Sequence, residues 1–221
     1  MVAPISHKIQ CQQLWLSAER AIYWEDTRSL ILSDLHLGKG GHFRRSGIAI
    51  PGSVNQNDLH RLFQLIQHFQ PARILIVGDM FHSSTNAEVE HFARWRDDLP
   101  SIDFHLILGN HDILPEAQYQ QMSLKTSVGL LEEEPFGFIH ENNALPSGDG
   151  LNSSYYFTGH LHPGILLKGA GKQSLRFPCF HFGTDQCVLP AFGGFTGLAL
   201  ISPEPGDTVF AIVEKQLMRI A

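Results

Sequence analysis

Short runs of apolar residues that end in Asp, Asn or His recur along the chain. They lie at residues 29–32, 73–77, 105–108, 136–139 and 155–157. Each run is bounded by glycine or polar residues and is too short for a helix, which is typical of a buried strand. Ligands bind beyond the carboxyl ends of strands in open α/β sheets, so these five strand ends are predicted to converge on one cleft.

Two segments with helical spacing separate the first three of these strands. Apolar residues three and four apart predict a helix from Ser53 to about Phe69, which Pro71 would stop. A second helical pattern begins at Asn86 and ends near Leu99. The alternation predicts right-handed crossovers between parallel, neighbouring strands.

Both ends of the chain are predicted to be rich in strands. Residues 14–24 are typical of a hairpin about residues 17–20, at a sheet edge. From about Pro135 short strands are separated by Gly, Pro, Asn and Ser, with a polar loop at 142–154. The further strands are predicted at 164–168, 174–180, 187–189 and 208–213. We therefore expect an α/β fold with two packed sheets and helices outside, as a single domain over residues 1–221.

Composition narrows the class of protein. The 221 residues are 43% hydrophobic and 17% charged, which suits one compact domain with a sizeable core. The formal net charge of -6 would repel a polyanion, so nucleic-acid binding would need a local basic patch or metal ions. Neither a secretion signal nor a run of eighteen apolar residues is present, so we expect a cytoplasmic protein without a membrane span.

The cysteine pattern indicates reduced thiols. Cys11, Cys179 and Cys187 are an odd number and lack the close spacing of a metal site. A bridge between Cys179 and Cys187 is the alternative.

Seven polar side chains at the predicted strand ends are candidate metal ligands. They are Asp34, His36, Asp79, Asn110, His140, His160 and His162. Oxygen and imidazole donors without a thiolate suit Mn²⁺, Fe, Zn²⁺ or Mg²⁺ better than a structural zinc site. Seven ligands are too many for one tetrahedral ion, whereas two ions about 3.5–4 Å apart would use them and would serve in-line displacement at phosphorus. Asp79 is the natural bridging carboxylate, although His140 taken alone is more often a core histidine.

A glycine-rich segment with three cations follows the first candidate ligands. Residues 38–47 contain Lys39, Arg44 and Arg45. Cations directly beyond a candidate metal site favour phosphate contact over the alternative of a solvated loop.

The order of these motifs resembles that of a known family. Asp-x-His, Gly-Asp-x-x-His, Gly-Asn-His-Asp, His and Gly-His-x-His follow one another as in the calcineurin-like metallophosphoesterases. The segments 35–39, 43–47, 78–83, 159–163, 176–180 and 189–193 resemble the ligase-associated DNA damage response endonucleases, the PdeM family. Gly-Asp-x-Phe-His is also similar to the SbcD-type repair nucleases. Ile113 departs from the pattern, because a basic residue is expected there.

The resemblance implies a four-layer α-β-β-α sandwich and a role for each motif residue. One metal would be held by Asp34, His36, Asp79 and His162, and the other by Asp79, Asn110, His140 and His160. A hydroxide bridging the ions would be the nucleophile. His111 would protonate the leaving oxygen or stabilise charge, with Asp112 holding its ring and His82 assisting. Lys39, Arg44 and Arg45 would neutralise the flanking phosphates.

The leading hypothesis is a Mn²⁺-dependent phosphodiesterase that cleaves DNA, as an endonuclease linked to repair. The family associates it with a DNA ligase and a helicase. The alternatives are a phosphodiesterase for a small nucleotide or lipid pyrophosphate, and a binding module that uses the metals as scaffold. The sequence leaves open whether the protein is a homodimer and whether cleavage is endo- or exonucleolytic.

Overall fold

A seven-stranded mixed sheet forms the first half of the fold. The computed structural model describes residues 2–38, 53–82, 87–141, 145, 153–169 and 173–221. In spatial order the strands are β1 (Ile5–Ile9), β2 (Gln12–Ser17), β3 (Ala21–Trp24), β4 (Ser29–Ser33), β5 (Arg73–Val77), β6 (Asp103–Ile107) and β7 (Leu124–Ser127). Strands β1 to β4 are antiparallel, whereas β4 to β7 are parallel. The carboxyl ends of β4, β5 and β6 therefore meet at one edge, as the crossovers predicted.

The second sheet is mixed as well and has nine strands in the described part of the chain. They are β8 (Leu131–Glu133), β9 (Phe136–Ile139), β10 (Tyr155–Thr158), β11 (Pro163–Lys168), β12 (Ser174–Phe182), β13 (Gln186–Val188), β14 (Ala199–Leu200), β15 (Thr208–Val213) and β16 (Gln216–Arg219). The path runs β14-β11-β12-β13-β10-β9-β8; β15 pairs with β12, and β16 pairs with β15. Strands β9 and β10 are parallel, so their carboxyl ends also lie together.

An aromatic core joins the two sheets. Residues of the first sheet such as Ile31, Leu75 and Ile107 pack against Phe138 and Phe157 of the second. The rings of Phe138 and Phe157 stack at 5.5 Å between centroids. Burying side chains of this size removes much apolar surface from water, which stabilises the face-to-face packing.

The helices cover the other face of the first sheet. They are α1 (Ser53–Phe69), α2 (Ala87–Asp97) and α3 (Glu116–Gln121). Leu62 of α1, Phe92 of α2 and Tyr119 of α3 pack on the sheet residues Ile74 and Ile76. Two packed mixed sheets with helices outside are thus confirmed.

The outer face of the second sheet carries a small apolar cluster of Ile165, Cys179, Val209 and Ala211. No helix among the described residues covers it. After Pro135 the sequence alternates with the period of strands, so none of its described segments offers the apolar stripe of a packed helix.

Several predicted features agree with the structure. Helix α1 has the predicted bounds, and α2 ends two residues before the predicted Leu99. All three cysteines are free, as expected. The strands β1, β7, β8, β14 and β16 and the six-residue α3 were not predicted, because short or exposed elements carry little periodic signal. In the described residues no helix has the length and apolar character needed to cross a bilayer.

Candidate metal centre

Asp34, His36 and His162 form the first candidate ligand set. Asp34 and His36 follow β4 of the first sheet, and His162 follows β10 of the second. His36 Nε2 lies 3.2 Å from His162 Nε2, and His162 Nε2 lies 3.2 Å from Asp34 Oδ1. The donor atoms of the three side chains all lie within 4.8 Å of one another.

Asp79, His140 and His160 form the second set. Asp79 follows β5, and the histidines follow β9 and β10. Their donor atoms also lie within 4.8 Å of one another, with His140 Nε2 at 3.4 Å from Asp79 Oδ1. Asn110 joins this set, since its Oδ1 lies 3.3 Å from His140 Nε2.

The chemistry of these donors fits a divalent cation in each set. Two imidazole Nε2 atoms and a carboxylate oxygen point at one another in the first set, and such lone pairs are satisfied together by a cation. In the second set His140 Nδ1 donates to the carbonyl of Val77 at 3.1 Å. This bond orients the ring and turns Nε2 toward Asp79 and Asn110, which is the usual arrangement of a metal-ligating histidine.

Burial and hydrogen bonding set the charge of the second set. Burial alone would raise the pKa of Asp79, but the His140 side chain and the backbone N–H of His111 lower it to about 2. Burial alone would lower the pKa of His140, but the carboxylates of Asp79 and Asp34 raise it to about 9. A proton therefore competes with a cation for the space between His140 and Asp79.

Left-handed backbone conformations occur at five of the seven candidate ligands. The φ angles are 53° at Asp34, 50° at His36, 49° at Asp79, 67° at His160 and 50° at His162. Residues with a Cβ rarely adopt this region, which costs about 1–2 kcal/mol each. Backbone hydrogen bonds hold this conformation at two of the ligands: the Asp34 N–H donates to Gly78 O, and the His36 N–H donates to Asp79 O.

Three glycines give the ligand side chains room. Each directly precedes a candidate ligand in the chain: Gly78, Gly109 and Gly159. A Cβ on Gly78 would overlap the His140 ring, and one on Gly109 would overlap the Asp79 carboxylate. A Cβ on Gly159 would lie 2.7 Å from Asp34 Oδ2. Each glycine thus makes space for a ligand that comes from another strand.

His111 and His82 lie at the open side of the centre. The His111 side chain is 43% exposed, and its Nε2 lies 4.0 Å from Asp79 Oδ2. Its ring centroid is 4.5 Å from that of His82 and 5.8 Å from that of His36. These two imidazoles can reach a group bound over the candidate ligands.

Asp112 differs from its expected role of holding the His111 ring. Its Oδ1 accepts the backbone N–H of Phe81 at 3.0 Å, and its Oδ2 accepts that of Gly109 at 2.9 Å. The buried carboxylate therefore links the loop that carries Asp79 to the loop that carries Asn110. Burial raises its pKa to about 6.

Lys39, Arg44 and Arg45 lie outside the described residues. Ile113, which stands where a basic residue was expected, is 68% exposed beside the centre.

Sequence analysis missed a set of residues that supports the centre. Arg20 donates to the carbonyls of Ala191 and Gly193 at 3.0 and 2.9 Å. The Asp58 carboxylate accepts the N–H of Gly194 at 3.0 Å. The same loop donates the Gly193 N–H to the carbonyl of Asp34. Spacing along the chain gives no signal for these contacts, which join residues more than a hundred positions apart.

Comparison with known proteins adds independent information. The family model for calcineurin-like phosphoesterase matches residues 27–191. The crystal structure of Pseudomonas putida nuclease MPE is similar, with a TM-score of 0.82 and 28% identity, over 98% of this chain and 100% of that chain. YfcE, a phosphoesterase from E. coli, has a TM-score of 0.45 and 13% identity, over 87% of this chain and 98% of that chain. Comparison with curated proteins finds no significant match.

Proposed function

The chain belongs to the calcineurin-like phosphoesterase family, and from this premise we propose that it is a two-metal phosphodiesterase that cleaves DNA. The observation that carries the proposal is the pair of His/carboxylate sets, each with three donor atoms within 4.8 Å. A nuclease from Pseudomonas putida with 28% identity over nearly the whole chain supports a nucleic acid as the substrate class.

Two divalent ions, Mn²⁺ in the first place, would be held by the seven candidate ligands. Asp34, His36, Asp79 and His162 would bind one ion, and Asp79, Asn110, His140 and His160 the other. Bound ions of this kind supply an activated water at neutral pH and polarise the phosphoryl oxygens. The seven side chains come from both sheets, so the fold presents their donor atoms before substrate arrives.

His111 would deliver a proton to the leaving oxygen. Its ring is exposed and lies beside the Asp79 carboxylate, so it can meet a phosphodiester placed over the two sets. His82, with its ring 4.5 Å away, would share or orient that proton. Asp112 would act indirectly, because its bonds to Phe81 and Gly109 keep Asp79 and Asn110 at their separation.

The finer biological setting also belongs to the proposal. We propose endonucleolytic cleavage in DNA repair, in the cytoplasm, together with a DNA ligase and a helicase. Lys39, Arg44 and Arg45 would neutralise the phosphates that flank the cleaved bond.

Three substrates test this function. Mn²⁺-dependent hydrolysis of bis(p-nitrophenyl) phosphate, plasmid nicking and cleavage of single-stranded DNA are measured for the wild type and His111→Ala. Loss of the proton donor is expected to lower both DNA cleavage rates by about 10²–10⁴-fold. Hydrolysis of bis(p-nitrophenyl) phosphate should fall less, because p-nitrophenolate leaves without needing a proton. His91→Ala is the matched control, since His91 is exposed on α2 away from the centre.

The outcomes separate the alternatives. Hydrolysis of the small diester without DNA cleavage would contradict the nuclease and indicate a nucleotide or lipid substrate. No hydrolysis with any divalent metal would contradict the enzyme and leave a metal-scaffolded binding module.

A further inference from the structure

A polar cavity lies beside the candidate metal centre. Its volume is about 570 Å³, and its lining includes Arg20, His60, Arg61 and Lys215. Arg20 belongs to the turn between β2 and β3, and β3 runs antiparallel to β4. The turn therefore lies at the carboxyl end of β4, which is the edge of the sheet that carries Asp34.

One loop separates this cavity from the candidate ligands. On one side of the loop, Phe192 and Gly193 donate their N–H groups to the carbonyls of Ser33 and Asp34, at 2.8 and 3.0 Å. On the other side, Arg20 Nη1 donates to the carbonyl of Gly193 at 2.9 Å. The backbone of Gly193 alone therefore separates the Arg20 guanidinium from the Asp34 backbone.

Arg20 keeps donors available to a ligand. Within the described residues only its Nη1 bonds to protein, its Nε and Nη2 have no acceptor, and no carboxylate lies within ion-pair distance of it. The nearby carboxylates of Glu19 and Asp58 are directed at Arg61, at 3.8 and 3.1 Å. Burial and the neighbouring Arg61 charge lower the pKa of Arg20 to about 10, so the side chain stays charged at neutral pH.

Lys215 adds an ammonium group to the lining of the cavity. It lies in the turn between β15 and β16, is exposed, and has no ion-pair partner among the residues that the structure describes. The adjacent Glu214 also lines the cavity, so the local field depends on both guanidinium groups as well as on Lys215.

We propose that this cavity binds a backbone phosphate of the DNA strand, next to the phosphodiester held at the metal centre. A guanidinium with free donors pairs with phosphate through two parallel hydrogen bonds. The volume suits one nucleotide unit. A chain with a net charge of -6 needs such local cationic contacts to hold a polyanion. The inference rests on the proposed DNA-cleaving function and adds a strand-binding subsite to it.

Charge reversal at Lys215 tests the subsite. Lys215→Glu is expected to raise the KM for a single-stranded oligonucleotide about tenfold and to reduce the salt dependence of kcat/KM by about one unit of slope. The KM for bis(p-nitrophenyl) phosphate, which has no flanking phosphate, should rise far less. Arg20→Gln should also raise the KM for the oligonucleotide. If Arg20→Gln destabilises the loop that Arg20 binds, the result for Lys215→Glu alone tests the subsite.

Lys8→Glu is the matched control. It makes the same change in net charge at an exposed position of β1, outside the lining of the cavity, and should leave both KM values unchanged. Equal KM increases for Lys8→Glu and Lys215→Glu, or no increase for either, would overturn the proposed subsite. DNA cleavage by the wild type would in that case still support the proposed function. A wild type that does not cleave DNA would overturn both.

Titration with inorganic phosphate separates a strand from a small ligand. Suppose that Lys215→Glu abolishes phosphate binding but leaves the oligonucleotide kinetics unchanged. The cavity would then bind a small phosphate ligand, and the proposal that it binds a DNA strand would be wrong.

Discussion

At the scale of single residues, the candidate centre depends on backbone positions that few side chains tolerate. Five ligands have φ near 50–67°, and three glycines leave space that ligands from other strands fill. Gly109 is more informative than Gly78, because the φ angle of Gly109 is ordinary and only the missing Cβ matters there. The Asp79 side chain fills the space beside Gly109, so a side chain at position 109 would displace Asp79.

Gly109→Ala should therefore inactivate the protein. The new Cβ would overlap both Asp79 Oδ1 and the Asp79 backbone nitrogen, so Asp79 would have to move away from His140. A displacement of about 1 Å at a catalytic group costs about 10²-fold in rate. Mn²⁺-dependent hydrolysis of bis(p-nitrophenyl) phosphate measures the loss. Gly197→Ala, where a Cβ meets nothing within 4 Å, should retain full activity, and equal activity of the two variants would contradict the steric explanation.

At the scale of elements, the edge strand β1 docks on the second sheet through one titratable ring. His7 packs against Phe182 at 4.4 Å and Phe210 at 5.4 Å between centroids. Its Nε2 is buried and has no hydrogen-bond partner among the residues that the structure describes. Burial, and then the charge of Arg219, lower the pKa of His7 below its usual 6.5. The neutral ring therefore suits this contact and the charged ring does not.

Acid should accordingly weaken the docking of β1. The folded state binds fewer protons at His7 than the unfolded state, so stability is lost as the pH falls below 6.5 toward the folded pKa. Urea unfolding at pH 7.5 and 5.0 measures the free energy of unfolding, and His7→Phe should lose less stability over this interval than the wild type. Each unit of pKa difference corresponds to about 1.4 kcal/mol at the acid limit. Identical pH slopes for the two proteins would refute this account.

At the scale of the whole molecule, the two sheets are joined at both edges. At the amino edge Arg73 of β5 pairs with both carboxylate oxygens of Glu133 in β8. At the carboxyl edge each candidate ligand set takes side chains from both sheets. A cation in either set would therefore connect the sheets.

Metal binding should stabilise the fold even in the absence of catalysis. At a concentration one hundred times Kd, one bound ion adds about 2.7 kcal/mol, which corresponds to about 5–10 °C in Tm for a chain of this size. Thermal unfolding followed by circular dichroism, with Mn²⁺ and with a chelator, measures the shift. Asp79→Asn should lose most of it, whereas His91→Ala should keep it. An unchanged Tm on adding Mn²⁺ would argue against ions that connect the sheets.

The sequence by itself determined which strand ends carry chemistry. Apolar runs followed by Asp34, Asp79 and Asn110 predicted parallel strands with polar ends at one edge, because a local pattern of period and turn fixes these features. The two packed sheets followed from the pattern of short strands, and the family followed from the order of the motifs. Both are confirmed by the fold and by the match over residues 27–191.

Only the tertiary structure decided how those side chains are held. The space that Gly78 leaves for the His140 ring, the bond of Asp112 to the Phe81 N–H and the bond of Arg20 to the Ala191 carbonyl all join residues far apart in the chain. The same holds for the outer face of the second sheet, which lacks a described helix. Sequence patterns report local conformation, whereas these contacts depend on the distance that packing leaves between elements, and no single segment encodes it.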